Sequence, residues 1–301
     1  IMFAFLIFEV INIGTSVLCS QYLGARMHKN MVQVVGVSLI LNLVFGLFVS
    51  AILHYGATSL LSMMGLRPEL MEYGVSYMKI VGVFAFFQAI SLTISASLRS
   101  ANKAVYPMMV TVVVNILNII GNYSLIFGKF GMPALGVEGA AISTAFARGV
   151  SMVILFVILF RKHIPRFPLS YFCPFPFVEL KNLLKIGVPS AGENMSYSFS
   201  QVVLTYFINM LGNEALATRT YVVNIVMFVY LFAIAMAQGG AICIGHLVGE
   251  RKIHAAYLLG KYVMRISILV SLVLSCIWAL MGHTLFSWLT DNPEIIRLGT
   301  I

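Results

Sequence analysis

Apolar residues fill this chain in blocks too long and too continuous for a soluble domain. A hydrocarbon core about 30 Å thick needs ~20 residues of helix to cross it. Apolar runs of that order cover residues 1–23, 34–60, 72–97, 105–127, 138–160, 186–211, 220–247 and 262–289, which predicts eight membrane spans. Residues 294–301 would open a ninth. The runs lack the short, strictly alternating pattern that a transmembrane barrel requires, so helices are the expected spanning element. The fold class is read as an all-α polytopic membrane protein.

The pattern also repeats. Residues 14–76 align without a gap to residues 239–301, an offset of 225. Gly14 meets Gly239, Gly24 meets Gly249, and Arg26 meets Arg251; Leu60 and Ser62 meet Leu285 and Ser287. Pro68-Glu69 falls on Pro293-Glu294, Gly74 on Gly299, and upstream Met2-Phe3 falls on Met227-Phe228. A duplication of this length in a hydrophobic chain predicts a transporter built from two related halves.

Composition agrees with the spans. Hydrophobic residues make up 60% of the 301 and charged residues 10%, against about 45–50% and about 25% in soluble domains. The net charge of +9 is distributed as a topology signal. One set of turns holds Arg26, Lys29, Arg99, Lys103, Arg161, Lys162, Arg166, Lys181, Lys185, Arg251 and Lys252, with Lys261 and Arg265 just inside the next span. The opposite set holds Arg67, Lys129, Arg219 and Arg297, and Lys79 and Arg148 lie within spans. The richer side is expected to be cytoplasmic. Six crossings separate the two repeated turns at Gly24 and Gly249, so both must face one side, and both are basic. The repeat is therefore parallel, with a pseudo-two-fold axis expected along the membrane normal.

Residues 161–185 carry Pro165, Pro168, Pro174 and Pro176 among basic and aromatic residues, as a stiff linker would. The expected division is an N-lobe over 1–160, a cytoplasmic linker over 161–185 and a C-lobe over 186–301. The first residue, Ile1, already lies in an apolar run. By the offset, the partner of residues 186–211 would precede Ile1, and the partners of residues 77–160 would follow Ile301. A whole of twelve spans, six per lobe, is expected.

Several stretches carry a resemblance. Arg99-Ser-Ala-Asn, Pro107, Asn115-x-x-Asn118, Leu125 and LGVEGAAIST ending at Thr144 are similar to the multidrug and toxin extrusion (MATE) family. So are GTSVLCSQYLGAR (Gly14–Arg26), IGVPSAGEN (Ile186–Asn194) and MLGNEALAT (Met210–Thr218). The resemblance implies two six-helix lobes around a central cavity. Residues 1–160 would be family helices 2–6, and residues 186–301 helices 7–9 with the start of helix 10. The activity it implies is efflux of organic, often cationic, compounds in exchange for protons or sodium.

Ionisable groups inside a bilayer are expensive and are functional candidates by default. Glu193 lies about eight residues into its span, with Asn194, Tyr197 and Gln201 on or beside its helical face. A carboxylate in a low-dielectric cavity gains proton affinity and can exchange its proton for a cation. In the family, the resemblance places the seventh-span glutamate about one turn farther along, nearer the depth of Tyr197. The other reading of this stripe is a structural hydrogen-bond network. Glu9, with Asn12 nearby, is a second proton or cation site or else pairs with Arg148; its repeat partner is Ile234. Asn115, Asn118 and Asn122 share one helical face, where interhelical bonding is the ordinary role. The resemblance makes Asn118 and Asn122 cavity-facing candidates. Asn194, Tyr197, Gln201, Asn115 and Arg148 complete the expected substrate cavity.

Enzyme chemistry is hard to build on this chain. Its single Asp is Asp291, no HExxH motif occurs, and no phosphate-binding loop is present, so ATP is not the expected direct energy source. No catalytic residue, metal site or cofactor is expected beyond a coupling H+ or Na+. The expected partners are a small organic substrate and the lipid bilayer, with no nucleic acid. A monomer in the plasma (inner) membrane is expected. The alternatives are a flippase for a lipid-linked saccharide of the same superfamily, disfavoured with Arg148 as its one cavity arginine, and an intramembrane enzyme.

Overall fold

The computed structural model describes residues 2–63, 67–164, 167–210, 212–289 and 297. Ten α-helices follow one another among these residues: α1 (Met2–Gly24), α2 (His28–Tyr55), α3 (Ala57–Met63), α4 (Pro68–Val83), α5 (Ala85–Ser100), α6 (Val105–Phe127), α7 (Val137–Ile158), α8 (Phe177–Asn209), α9 (Asn213–Gly249) and α10 (Ile253–Leu289). No strand occurs among the described residues. The ninth span expected over 294–301 falls, apart from Arg297, outside them.

Among the described residues α2, α6, α7, α9 and α10 are long and apolar enough to cross a bilayer, and α4 with α5, bent by 46° at their junction, meets the same measure when taken together as one broken span. The run expected at 72–97 is this bent pair, which breaks at Phe84. At the break α4 lies so close to α2 that a Cβ on Gly82 would meet the Cβ of Leu53 at 2.6 Å. Helix α1 and helix α8 stand outside that set; α8 has Glu179, Lys181, Lys185 and Glu193 along its length.

Helices also begin earlier than the apolar runs. α8 starts at Phe177, where the sequence reading had linker up to 185, because a helix needs no apolar residues in the turn that leads into the membrane. Pro176 precedes the first turn, and Glu179 and Leu180 donate their backbone N–H groups to its carbonyl at 3.1 and 3.2 Å. Lys181 and Lys185 are good helix formers. The same trimming of polar ends explains α9, which starts at Asn213, and α10, which starts at Ile253.

The chain divides into two compact units, Ile1–Ala191 and Gly192–Ile301. The boundary lies inside α8, six residues past the expected lobe boundary. In the first unit, Ile11, Leu18, Val34, Ile94, Leu98, Leu155 and Leu183 form the buried core. Glycine allows the closest approaches: a Cβ on Gly14 would stand 2.7 Å from the Leu183 carbonyl oxygen, and one on Gly187 would meet the Val10 carbonyl. Inside this core, polar side chains bond across helices, Thr15 to Ser38 at 2.7 Å and Asn42 to Thr93 at 2.5 Å. Outward, Val44, Phe48 and Ile52 of α2 and Met108, Val112, Ile116 and Ile119 of α6 are exposed, as lipid-facing positions should be.

The repeat is visible in backbone detail. Arg26 and Arg251 both take left-handed φ, 58° and 61°. Around them the hydrogen bonds match pair for pair: Ala25 to Gln21 and Glu250 to His246, both 2.9 Å; Met27 to Tyr22 at 2.8 Å and Lys252 to Leu247 at 2.9 Å. α2 and α10 begin at His28 and Ile253, again 225 apart.

The segment between α7 and α8 is packed against the first unit. Gln33 donates to the Tyr171 carbonyl at 2.8 Å, and Lys29 lies over the Tyr171 ring. Glu179, only 4% exposed, accepts from the Tyr22 hydroxyl at 2.6 Å and the Asn30 amide at 2.8 Å. One carboxylate thus joins the end of α1, the start of α2 and the start of α8. Removing it leaves two partly buried donors without an acceptor, so Glu179→Ala should destabilise the protein by about 2 kcal/mol. In a double-mutant cycle with Tyr22→Phe, read by thermal unfolding, the two losses should overlap by about 1 kcal/mol; simple additivity would refute the link.

Candidate functional site

The candidate residues fall in two places, one in each unit. In the first unit, α5, α6 and α7 enclose a cavity of about 420 Å³. Asn115 and Asn118 of α6 and Arg148 of α7 share its wall, together with Gln88, Arg99 and Thr144. The three-four spacing that puts the asparagines on one face of α6 also turns that face toward α7. Asn118 donates to the Thr144 hydroxyl at 3.3 Å and accepts from the Asn122 amide at 3.0 Å; Ser143 donates to the Asn118 carbonyl at 3.2 Å. Asn122 is therefore joined to the wall through Asn118. Small residues make the approach possible, since a Cβ on Gly139 would stand 2.5 Å from the Leu125 carbonyl oxygen.

Glu9 sits one turn before Asn12 on α1 and accepts its amide at 3.4 Å. Its charge acts on Arg99, near the end of α5. The sequence reading offers Arg148 as the partner of Glu9 and counts Arg99 only among the basic turn residues; the structure adds Arg99 as a neighbour of Glu9. The signal was present: Arg99 opens the RSAN stretch, yet a basic residue next to a turn reads first as a topology charge. Arg148 has Tyr77 within electrostatic reach.

In the second unit, Glu193, Asn194 and Tyr197 are exposed on α8, and Gln201 is half-buried. Gln201 belongs to a defined cluster. The Arg219 guanidinium of α9 donates to the Gln201 side-chain oxygen at 2.8 Å, to the Thr205 hydroxyl at 2.6 Å and to the Gln201 backbone carbonyl at 3.4 Å. The sequence reading placed Arg219 in a loop. It lies instead in the second turn of α9, because the helix starts at Asn213 right after Gly212, whose φ of 112° suits glycine. A planar fork with several donors bridges two neighbouring helices well, which is why an arginine rather than a lysine fits here.

No group of three or more His, Cys, Asp or Glu able to hold a metal ion occurs among the described residues. The two clusters can bind polar or charged groups and hold helices in register.

Comparison with known proteins fixes the family. The model of the MatE family matches residues 1–124 and 189–301. The chain is 38% identical over 294 residues to the uncharacterized transporter YisQ of Bacillus subtilis, covering 98% of this chain and 65% of that protein. It is 26% identical over 292 residues to the probable multidrug resistance protein NorM of Thermotoga maritima, covering 96% of this chain and 62% of NorM. The chain thus spans about two thirds of the length of these relatives. A crystal structure of a MATE protein in its bent conformation superposes with a TM-score of 0.89 at 24% identity, over 99% of this chain and 66% of that one. The helical, multi-pass architecture and a family match over most of its residues agree, and this chain belongs to the multidrug and toxin extrusion family.

Proposed function

We propose that the whole protein is a secondary active efflux antiporter that exports small organic compounds in exchange for protons or sodium. The observation that carries this reading is the duplicated helix–turn–helix, repeated with its left-handed arginine in two units of a helical membrane chain. Duplicated lobes are the usual framework for alternating access, in which one substrate site opens to each side in turn. The name of the Thermotoga relative, a probable multidrug resistance protein, supports the same class of cargo. The basic turns at Arg26, Arg99, Arg161 and Arg251 and the inter-lobe segment then face the cytoplasm.

Glu193 is the proposed coupling carboxylate, with Glu9 as a second site in the other lobe. A carboxylate that is protonated in one lobe arrangement and ionised or cation-bound in the other converts an ion gradient into a population shift. It can shift that equilibrium only by the difference in its proton or cation affinity between the two states. Asn194, Tyr197, Asn118 and Asn122 supply uncharged polar contacts for varied cargo, and the protein is proposed to act as a monomer.

In proteoliposomes of the full-length protein, Glu193→Gln should reduce export driven by a proton or sodium gradient to the level of empty vesicles, with the thermal unfolding profile retained. Unchanged driven export by this variant would remove Glu193 from the mechanism. Glu9→Gln should slow driven export without abolishing it; full activity would leave Glu9 as a local partner of Arg99 and Asn12.

A further inference from the structure

The first unit's cavity has a charge pattern that a cargo defined only as cationic does not explain. Two guanidinium groups, Arg99 and Arg148, line it, and no Asp or Glu is among its lining residues. Counting Glu9, which acts on Arg99 from α1, arginines still outnumber carboxylates two to one here. Arg148 stands eleven residues past the start of α7, about 16 Å along a helix long enough to span the membrane. An arginine at that depth is costly, and such groups mark ligand or ion sites.

The uncharged wall residues point the same way. The buried Ser91 hydroxyl, 6% exposed, has no hydrogen-bond partner among the described residues and lines the cavity. Asn118 and Thr144 are held by their mutual bond and by Asn122, so the polar wall is fixed before a ligand arrives. A preset wall with guanidinium forks and a hydroxyl donor suits an oxyanion, which can take parallel N–H bonds from one arginine. An organic cation placed here would meet like charge.

We propose that this cavity binds the anionic group of an organic compound, a carboxylate or a phosphoryl oxyanion, with Arg148 as its direct counter-charge and Arg99 and Ser91 as further donors. Under the transporter reading, on which the word cargo rests, the cargo is then anionic or zwitterionic. An anionic lipid headgroup presents the same chemistry and is the other source of such a group.

The test uses the full-length protein in nanodiscs of phosphatidylcholine and two dyes that differ in one group, tetramethylrhodamine with its free carboxylate and tetramethylrhodamine methyl ester. Fluorescence anisotropy should show the carboxylate binding about tenfold tighter than the ester, the size expected of hydrogen bonds to a charged group. Arg148→Gln should bring the ratio to about one by weakening the carboxylate alone. Equal affinities in the unsubstituted protein, or a preference that survives Arg148→Gln, would overturn the proposal. Should Arg148→Gln fail to fold, Arg148→Lys and Arg99→Gln decide: a reduced ratio supports the site and an unchanged ratio overturns it. Given the preference, competition by added phosphatidylglycerol identifies a lipid headgroup as a ligand, and its absence identifies a soluble compound. Driven export is read on the same preparations. A carboxylate preference without gradient-driven export would overturn the antiporter reading and leave the anion site standing.

Discussion

A peptide backbone in hydrocarbon has no water to bond, so every N–H and C=O must find its partner inside the protein. That constraint sets the form of this molecule, from its long helices to the way its turns are built. The turn at Arg26 leaves the helix through a left-handed residue so that Ala25, Arg26 and Met27 can each still donate to a carbonyl of the last turn of α1. Arg251 repeats the device, and Asn102, at φ 58°, uses it between α5 and α6. Glycine would take this φ with less strain. A basic side chain at two of the three places indicates that charge on this membrane face is retained at some conformational cost.

The same constraint separates two uses of polar side chains. Thr15, Ser38, Asn42 and Thr93 face one another across helices where an unpaired group would be expensive. Glu179 and Arg219 are charged versions of that use, each held by two neighbouring side chains. A charge with so full a set of fixed partners has little freedom to bind anything that comes and goes. Glu193, exposed on α8, and Arg148, on the wall of a cavity, stand in settings where a ligand can reach them.

Much of the fold was legible in the sequence because the bilayer imposes a simple pattern. Run length gave the approximate helix positions, and the offset of 225 located turns whose hydrogen bonds coincide. The errors have one physical origin. Apolar runs mark where lipid is, whereas helices extend past it, so Phe177, Asn213 and Ile253 begin earlier than hydrophobicity indicates. For that reason Arg219 was read as loop and Glu179 as linker. The bend at Phe84 was invisible for a different reason: it comes with the close packing of Gly82 on Leu53, a contact between distant parts of the chain. The cavity was legible in part. One helical face predicts that Asn115 and Asn118 act together, but only packing shows that Arg99 and Arg148, from different helices, share their space.

The duplication and the charges together say something that neither says alone. Where the two copies agree, at the Arg26 and Arg251 turns, the residues serve the backbone and the membrane surface. Where they differ, a charge in one copy aligns with an apolar residue in the other, as Glu9 does with Ile234. A lobe pair made from one ancestral unit starts symmetric, and a symmetric site cannot assign one lobe to the coupling ion and the other to the cargo's counter-charge. An arginine-lined cavity in the first unit and Glu193 on α8 beside neutral polar groups would divide most of that work by sign, with Glu9 as the secondary coupling group proposed for the first unit. If the proposed exchange holds, coupling ion and cargo need not compete for one group, because each would be met by a group of opposite charge.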